Sequence, residues 1–193
     1  MWNHNIHYED WILDRIPKGR SIRALDIGCG AGSLTKRITE MVEESVAIDP
    51  CDEMTKLTKT KSPQTEVIQG DFLESAGELG TFDFVACSMS LHHMNEELAL
   101  SAIAQLTNPG GAAAILGIAK SNTMRDHVLD SLGFVSSKSR RLFASFETQC
   151  APQSPPRLSY QHIEQICEKR LGGCSFRRRL YFRFTVEWQR PFS

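Results

Sequence analysis

Five short runs of apolar and β-branched residues, each bounded by glycine, proline or aspartate, recur along the chain at 21–27, 45–48, 66–69, 82–87 and 112–118. Runs of this length that stay apolar throughout predict strands buried on both faces of a sheet. Helical stretches lie between them; 33–42 and 95–106 are the clearest, the second ended by the breakers Pro109, Gly110 and Gly111. Alternation of strand and helix predicts right-handed βαβ units with helices on both faces of a mostly parallel sheet.

After Ile118 the rhythm changes. Residues 119–157 read as an insertion or lid over a substrate pocket: a helix, a Ser/Lys/Arg-rich segment at 136–141 and a breaker-rich run at 151–156. A helix follows over 159–171, with Ser159 as its N-cap and Gly172 and Gly173 closing it. The tail, 175–188, alternates and is rich in aromatic and β-branched residues, which predicts two closing strands in an antiparallel hairpin. Residues 1–20 read as an N-terminal helical cap on the same single domain, which takes in all of 1–193.

Composition narrows the classes. Lys and Arg number 22 against 23 Asp and Glu, so the chain as a whole lacks the electrostatic footprint of a nucleic-acid binder. No apolar run approaches the roughly 20 residues of a membrane span, and the polar start lacks the apolar region of a signal peptide. A cytoplasmic protein, monomer or homodimer, is expected. The six cysteines never fall at CxxC spacing and read as reduced, unligated thiols. Only His92 and His93 are adjacent histidines, and chain neighbours rarely share one metal, so no metal site is expected.

The most informative segment runs from Asp26 through Gly28, Cys29, Gly30 and Gly32 to Ser33. A strand enters a loop with glycine at alternate positions and a helix starts directly after it, so the backbone can approach a ligand closely and present unpaired amides to it. The dinucleotide spacing GxGxxG fails because Ser33 stands where the third glycine belongs, and no Gly-Lys-Ser/Thr follows for a phosphate loop. Asp26 would repel a pyrophosphate and suits an ammonium group or a water bound to one. Asp49, followed by Pro50 at the end of the second strand, stands where a carboxylate accepts from two ribose hydroxyls; the bland alternative is a turn. Asp71 is placed to accept from an adenine amine with Phe72 alongside the ring, or else to cap a helix with Glu74. The fourth strand carries Ser88 to the same carboxyl edge, where ligands of such sheets bind.

Taken in order, these segments resemble the consecutive motifs of class I S-adenosylmethionine-dependent methyltransferases, closely over 23–118 and more weakly at both ends. The resemblance implies a Rossmann-like, doubly wound α/β sheet of seven strands in the order 3-2-1-4-5-7-6 with strand seven antiparallel, and S-adenosylmethionine as cofactor. It places the methionine end on the glycine loop, the ribose on Asp49 and the adenine at Asp71. Asp26, Gly28, Cys29, Gly30, Gly32, Asp49, Pro50, Asp71, Phe72 and Ser88 form the expected cofactor-binding set.

Catalytic candidates follow from position. His92 and His93 stand after the fourth strand, where imidazole could take a proton from an attacking nucleophile; the alternative is packing against the cofactor or capping at Asn95. The resemblance would fold the first helix over the cofactor, making His7 and Tyr8 pocket candidates, with docking of Trp11 and Ile12 on the core as the alternative. His4, Arg141 and Arg179 are the substrate-binding candidates, since an arginine in the cavity would recruit a carboxylate or phosphate. The expected reaction is methyl transfer to oxygen, a carboxylate included, or to nitrogen of a small metabolite or short peptide in tailoring or secondary metabolism. A SAM-binding interaction module without catalysis and an NAD-dependent oxidoreductase are the rivals; the adenine-modifying Asn/Asp-Pro-Pro-aromatic signature is absent, Cys87-Ser88-Met89-Ser90 standing in its place.

Overall fold

The computed structural model describes residues 4–19, 21–120, 155–179 and 183–192, with side chains in the first helix from residue 8 onward. In chain order the elements are α1 (His4–Leu13), β1 (Arg23–Ile27), α2 (Ser33–Thr39), β2 (Glu44–Asp49), α3 (Asp52–Lys61), β3 (Glu66–Gln69), α4 (Phe72–Ser75), β4 (Phe82–Ser88), α5 (Glu96–Leu106), β5 (Thr107–Ile118), α6 (Tyr160–Leu171), β6 (Ser175–Arg179) and β7 (Arg183–Gln189). Among the described residues seven strands form one sheet in the order β3-β2-β1-β4-β5-β7-β6, the expected one. Pairs from β3 through β5 are parallel, and β7 runs antiparallel to both β5 and β6.

Side chains alternate across the strands as the pleat requires. Leu25, Val85, Cys87, Ala113 and Ile115 point into a core shared with α5 and α6, while Ala24, Phe84, Ala86, Ala114 and Leu116 point the other way, against α1 and α2. All ten are buried, which is why the central stretches of β1, β4 and β5 read as predominantly apolar. Asn95 and Ser159 cap α5 and α6 through side-chain oxygens that accept from Leu98 and His162 amides. Among the described residues no helix is long and apolar enough to cross a membrane.

The fifth strand differs from expectation. Pro109, Gly110 and Gly111 do not separate α5 from β5: the helix ends at Leu106 and Thr107 already pairs with Phe82, with a register shift before Phe84. The reason is local satisfaction of the backbone. Thr107 Oγ1 donates to Ile103 O at 2.7 Å, and Arg190 Nη1 donates to the carbonyls of Ala104, Gln105 and Thr107 at the helix end. The breaker residues thus form an irregularity within a strand. Of the expected lid, 121–154 lie outside the described residues.

Candidate active site

A cavity of about 400 Å³ opens at the carboxyl ends of β1, β2 and β4, walled by the glycine loop, the Asp49–Cys51 turn, Asp71, Phe72, the segment from Ser88 to Ser90, and His93 and Met94. The glycine loop is tied down from several sides. The Gly28 and Cys29 amides both donate to Ile48 O, at 2.8 and 3.2 Å, and the Gly32 amide donates to Cys29 O at 2.9 Å just before α2 begins. Gly28 has φ 69°, and a Cβ there would stand 2.3 Å from Ser90 Cβ. Ser90 in turn donates its hydroxyl to Ile27 O at 2.7 Å, stitching the end of β1 to the loop after β4. Gly30 is the opposite case: φ is 49° and nothing lies within 4 Å of where a Cβ would be, so its exposed side is open for a ligand to approach.

Asp49 is fixed by two amides. Gly30 N donates to one carboxylate oxygen and Cys51 N to the other, both at 2.9 Å. A carboxylate has about four acceptor positions, so each oxygen keeps one for a further donor. Asp26 lies deeper, 2% exposed, and accepts from Thr35 Oγ1 at 2.6 Å. Burial raises its pKa to about 6, the Thr35 hydroxyl opposes the rise, and the charges of Asp49 and Glu9 add to it. Asp71 is both cap and wall: one oxygen accepts from Leu73 N at 2.8 Å and Glu74 N at 3.3 Å, while the residue also lines the cavity with buried Phe72 beside it. Pro50, Ser88 and the Cys29 thiol line it too; burial, with Asp26 nearby, pushes that thiol up to about 12, so it remains protonated.

A family model described as a methyltransferase domain matches residues 25–115, the stretch from β1 to β5 that builds this cavity. An uncharacterized methyltransferase of Mycobacterium tuberculosis is 26% identical over 194 residues, covering 98% of each chain. The crystal structure of a SAM dependent methyltransferase from Aquifex aeolicus shares the fold with a TM-score of 0.62 at 19% identity, covering 94% of this chain and 88% of that one. Residues 25–115 match a methyltransferase domain, set on the fold of SAM-dependent methyltransferases. The N-methyltransferase NodS from Bradyrhizobium japonicum, in complex with S-adenosyl-L-homocysteine, has the same fold with a TM-score of 0.66 at 12% identity over 96% of this chain and 87% of that one.

In this methyltransferase the two histidines part company. Both lie in a short 3-10 turn, Leu91–His93, but only His93 lines the cofactor-side cavity. His92 is buried among Leu91, Ile118, Leu158, Ile163 and Phe184, beside Glu96, and its Nδ1 has no hydrogen-bond partner. Burial first and the neighbouring His93 second pull its pKa down to about 4. The expectation that His92 serves as a base at this cavity is therefore corrected: its ring lies against that of His93, with centroids 3.9 Å apart, but on the core side of it, so His93 stands between His92 and the cavity wall.

The first helix also departs from expectation. Tyr8 packs on the α1-side core, with Arg183 Cζ 5.4 Å from its ring, and does not line the cavity. Its neighbour Glu9 does, being 9% exposed and accepting from Ser33 Oγ at 3.0 Å and Arg37 Nη1 at 3.2 Å. No signal in the sequence singled out Glu9, because α1 carries no clear apolar stripe to say which side faces inward. Arg179 is likewise corrected: it ends the edge strand β6, donates from Nε to Thr185 Oγ1 at 3.0 Å, and is not in the cavity wall. The side chains of His4 and His7, and Arg141, lie outside the described residues. Met89 was also missed; it lines the cavity in the left-handed region, φ 60°, where a non-glycine residue is strained and held here by its amide bond to Leu116 O at 2.7 Å. Among the described residues no group of three or more His, Cys, Asp or Glu could hold a metal ion.

Proposed function

We propose that this methyltransferase transfers the methyl group of S-adenosylmethionine to an oxygen, a carboxylate included, or a nitrogen of a small metabolite or short peptide, in a tailoring step of metabolism. The observation that carries the reading is the Asp49 carboxylate, braced by the Gly30 and Cys51 amides with acceptor capacity left on both oxygens. That arrangement suits a vicinal diol such as a ribose. The open face of Gly30 and the carboxylate of Asp26 suit the amino acid end, and Asp71 with Phe72 suits the adenine.

The bound cofactor supplies a methyl group made electrophilic by the positive sulfur. The protein's share is alignment and exclusion of water. Ser88, Met89 and Ser90 carry the end of β4 to the cavity, and His93 stands beside them as the one imidazole of the turn that reaches it. A neutral hydroxyl or amine loses a proton as its lone pair bonds to carbon, and His93 is placed to accept that proton. A carboxylate acceptor needs no base. The near balance of charge, 22 basic against 23 acidic residues, favours a small acceptor over nucleic acid.

The test is conversion of S-adenosylmethionine to S-adenosylhomocysteine with a panel of carboxylic acids, phenols, amines and short peptides. Turnover with one class identifies the acceptor. Tight cofactor binding without transfer to any of them would mark a binding module instead, and stabilisation by NADH but not by S-adenosylhomocysteine would defeat the reading.

A further inference from the structure

Glu9 is a carboxylate that the catalytic chemistry above does not use. It reaches the cavity from α1, outside the matched stretch 25–115, and α1 contributes no other residue to the cavity wall among those described. Only 11% of its side chain is exposed, so most of its hydration is gone, and a desolvated charge needs compensation from its surroundings. What it has is partial. Ser33 offers a neutral hydroxyl, and Arg37 is shared, since its other terminal nitrogen pairs with Asp10. Around the cavity Glu9 joins Asp26, Asp49 and Asp71, while among the described residues Lys61 is the one basic side chain in the wall apart from His93. The charge of Glu9 is felt as far as Asp26, whose carboxyl it helps push up.

Such a cavity discriminates by charge. The sulfonium cofactor carries one more positive charge than its demethylated thioether, and the two are otherwise nearly the same shape. We propose that Glu9 favours the charged cofactor over the neutral thioether product, in competition with Arg37 for the same carboxylate. This rests on the cofactor reading above. Methyl transfer removes the positive charge from the cavity as the carbon–sulfur bond breaks and its electron pair stays on sulfur. Glu9 then keeps only Ser33 and Arg37 as partners, and release of the product is favoured.

Calorimetric titration of wild type and Glu9→Gln with S-adenosylmethionine, with S-adenosylhomocysteine, and with an analogue bearing an ammonium in place of the sulfonium tests this. Glu9→Gln should weaken the two cationic ligands on the order of tenfold, the scale of one charge interaction in a partly buried site, and the thioether less than about threefold. The ratio of affinities within one variant is independent of how much protein is folded. Arg37→Gln, which removes the competing cation, should shift the ratio the other way, toward the cationic ligands. An equal loss for all three ligands, or no change in the ratio, overturns the proposal while leaving the cofactor reading intact. Absence of binding of any of the three to wild type overturns the cofactor reading itself.

Discussion

Asp49 takes the Gly30 amide on one oxygen and the Cys51 amide on the other, each at 2.9 Å, and so joins the glycine loop to the turn after the neighbouring strand. One side chain thereby fixes the spacing between two loops that must face the same ligand. The carboxylate is held by main-chain donors and not by other side chains, and rigid placement of this kind lowers the ordering cost of binding.

Replacing Asp49 by Ala should weaken S-adenosylmethionine binding by about 1–3 kcal/mol, the scale of lost hydrogen bonds to a buried charged group. Asp49→Asn, which keeps one acceptor oxygen, should fall between Ala and wild type. Titration calorimetry measures both, and unchanged affinity in the alanine variant removes Asp49 from the ribose.

Asp26 predicts a pH dependence. Its folded pKa of about 6 lies above the ordinary 3.8, so its contribution to stability is fully present below about 3.8 and is lost as pH rises through about 6. A cationic ligand prefers the ionised carboxyl, so affinity should climb through that same range and level off above it. Binding measured from about pH 5 to about pH 7.5 should show this rise, and Asp26→Asn should flatten it. A wild-type profile already flat across that range contradicts the assignment.

His93→Ala should lower turnover by a factor of roughly 10²–10⁴ with a neutral acceptor if the imidazole takes the proton, with cofactor affinity little changed. With a carboxylate acceptor the loss should be small. Full activity with every acceptor dismisses the role.

His92 acts on stability instead. Its folded pKa of about 4 lies below the ordinary 6.5, so its contribution is present above about 6.5 and is lost as pH falls toward 4. Thermal unfolding of His92→Phe should show a shallower loss over that window than wild type, with turnover retained. Identical pH profiles of melting temperature in the two proteins contradict this.

Gly28→Ala combines backbone strain at φ 69° with a Cβ 2.3 Å from that of Ser90. Destabilisation of about 2 kcal/mol or more is expected, and adding Ser90→Gly should recover part of it by removing the collision while leaving the strain. Denaturant unfolding of the two variants decides this; equal stability of Gly28→Ala and wild type would show that the loop moves freely.

Much of this was legible in the sequence, and for physical reasons. The stretch from Phe84 to Cys87 is buried on both faces, so it is apolar throughout, and the alternate glycines after Asp26 mark a loop that can turn tightly over a ligand. Helix α3 did not stand out because its buried residues are Thr55 and Thr58, whose inward role leaves no apolar stripe. The Pro109-Gly110-Gly111 turn misled because local breaker chemistry was overridden by a distant residue, Arg190, which satisfies the carbonyls at the helix end. His92 and His93 looked equivalent because a sequence does not say which side of a turn faces a cavity. Glu9 was invisible because its role depends on how one helix lands across another.

The order of the sheet also shapes how it can be made. β7 lies between β5 and β6, yet it is the last of the three in the chain. On a growing polypeptide the flank of β5 must therefore stay unpaired while everything up to Arg179 is synthesised, exposing backbone that invites the wrong neighbour. Insertion of β7 closes that gap and brings Arg190 to the end of α5 in one stroke, so completion of the barrier against misassembly and fastening of the α5 terminus become a single late event.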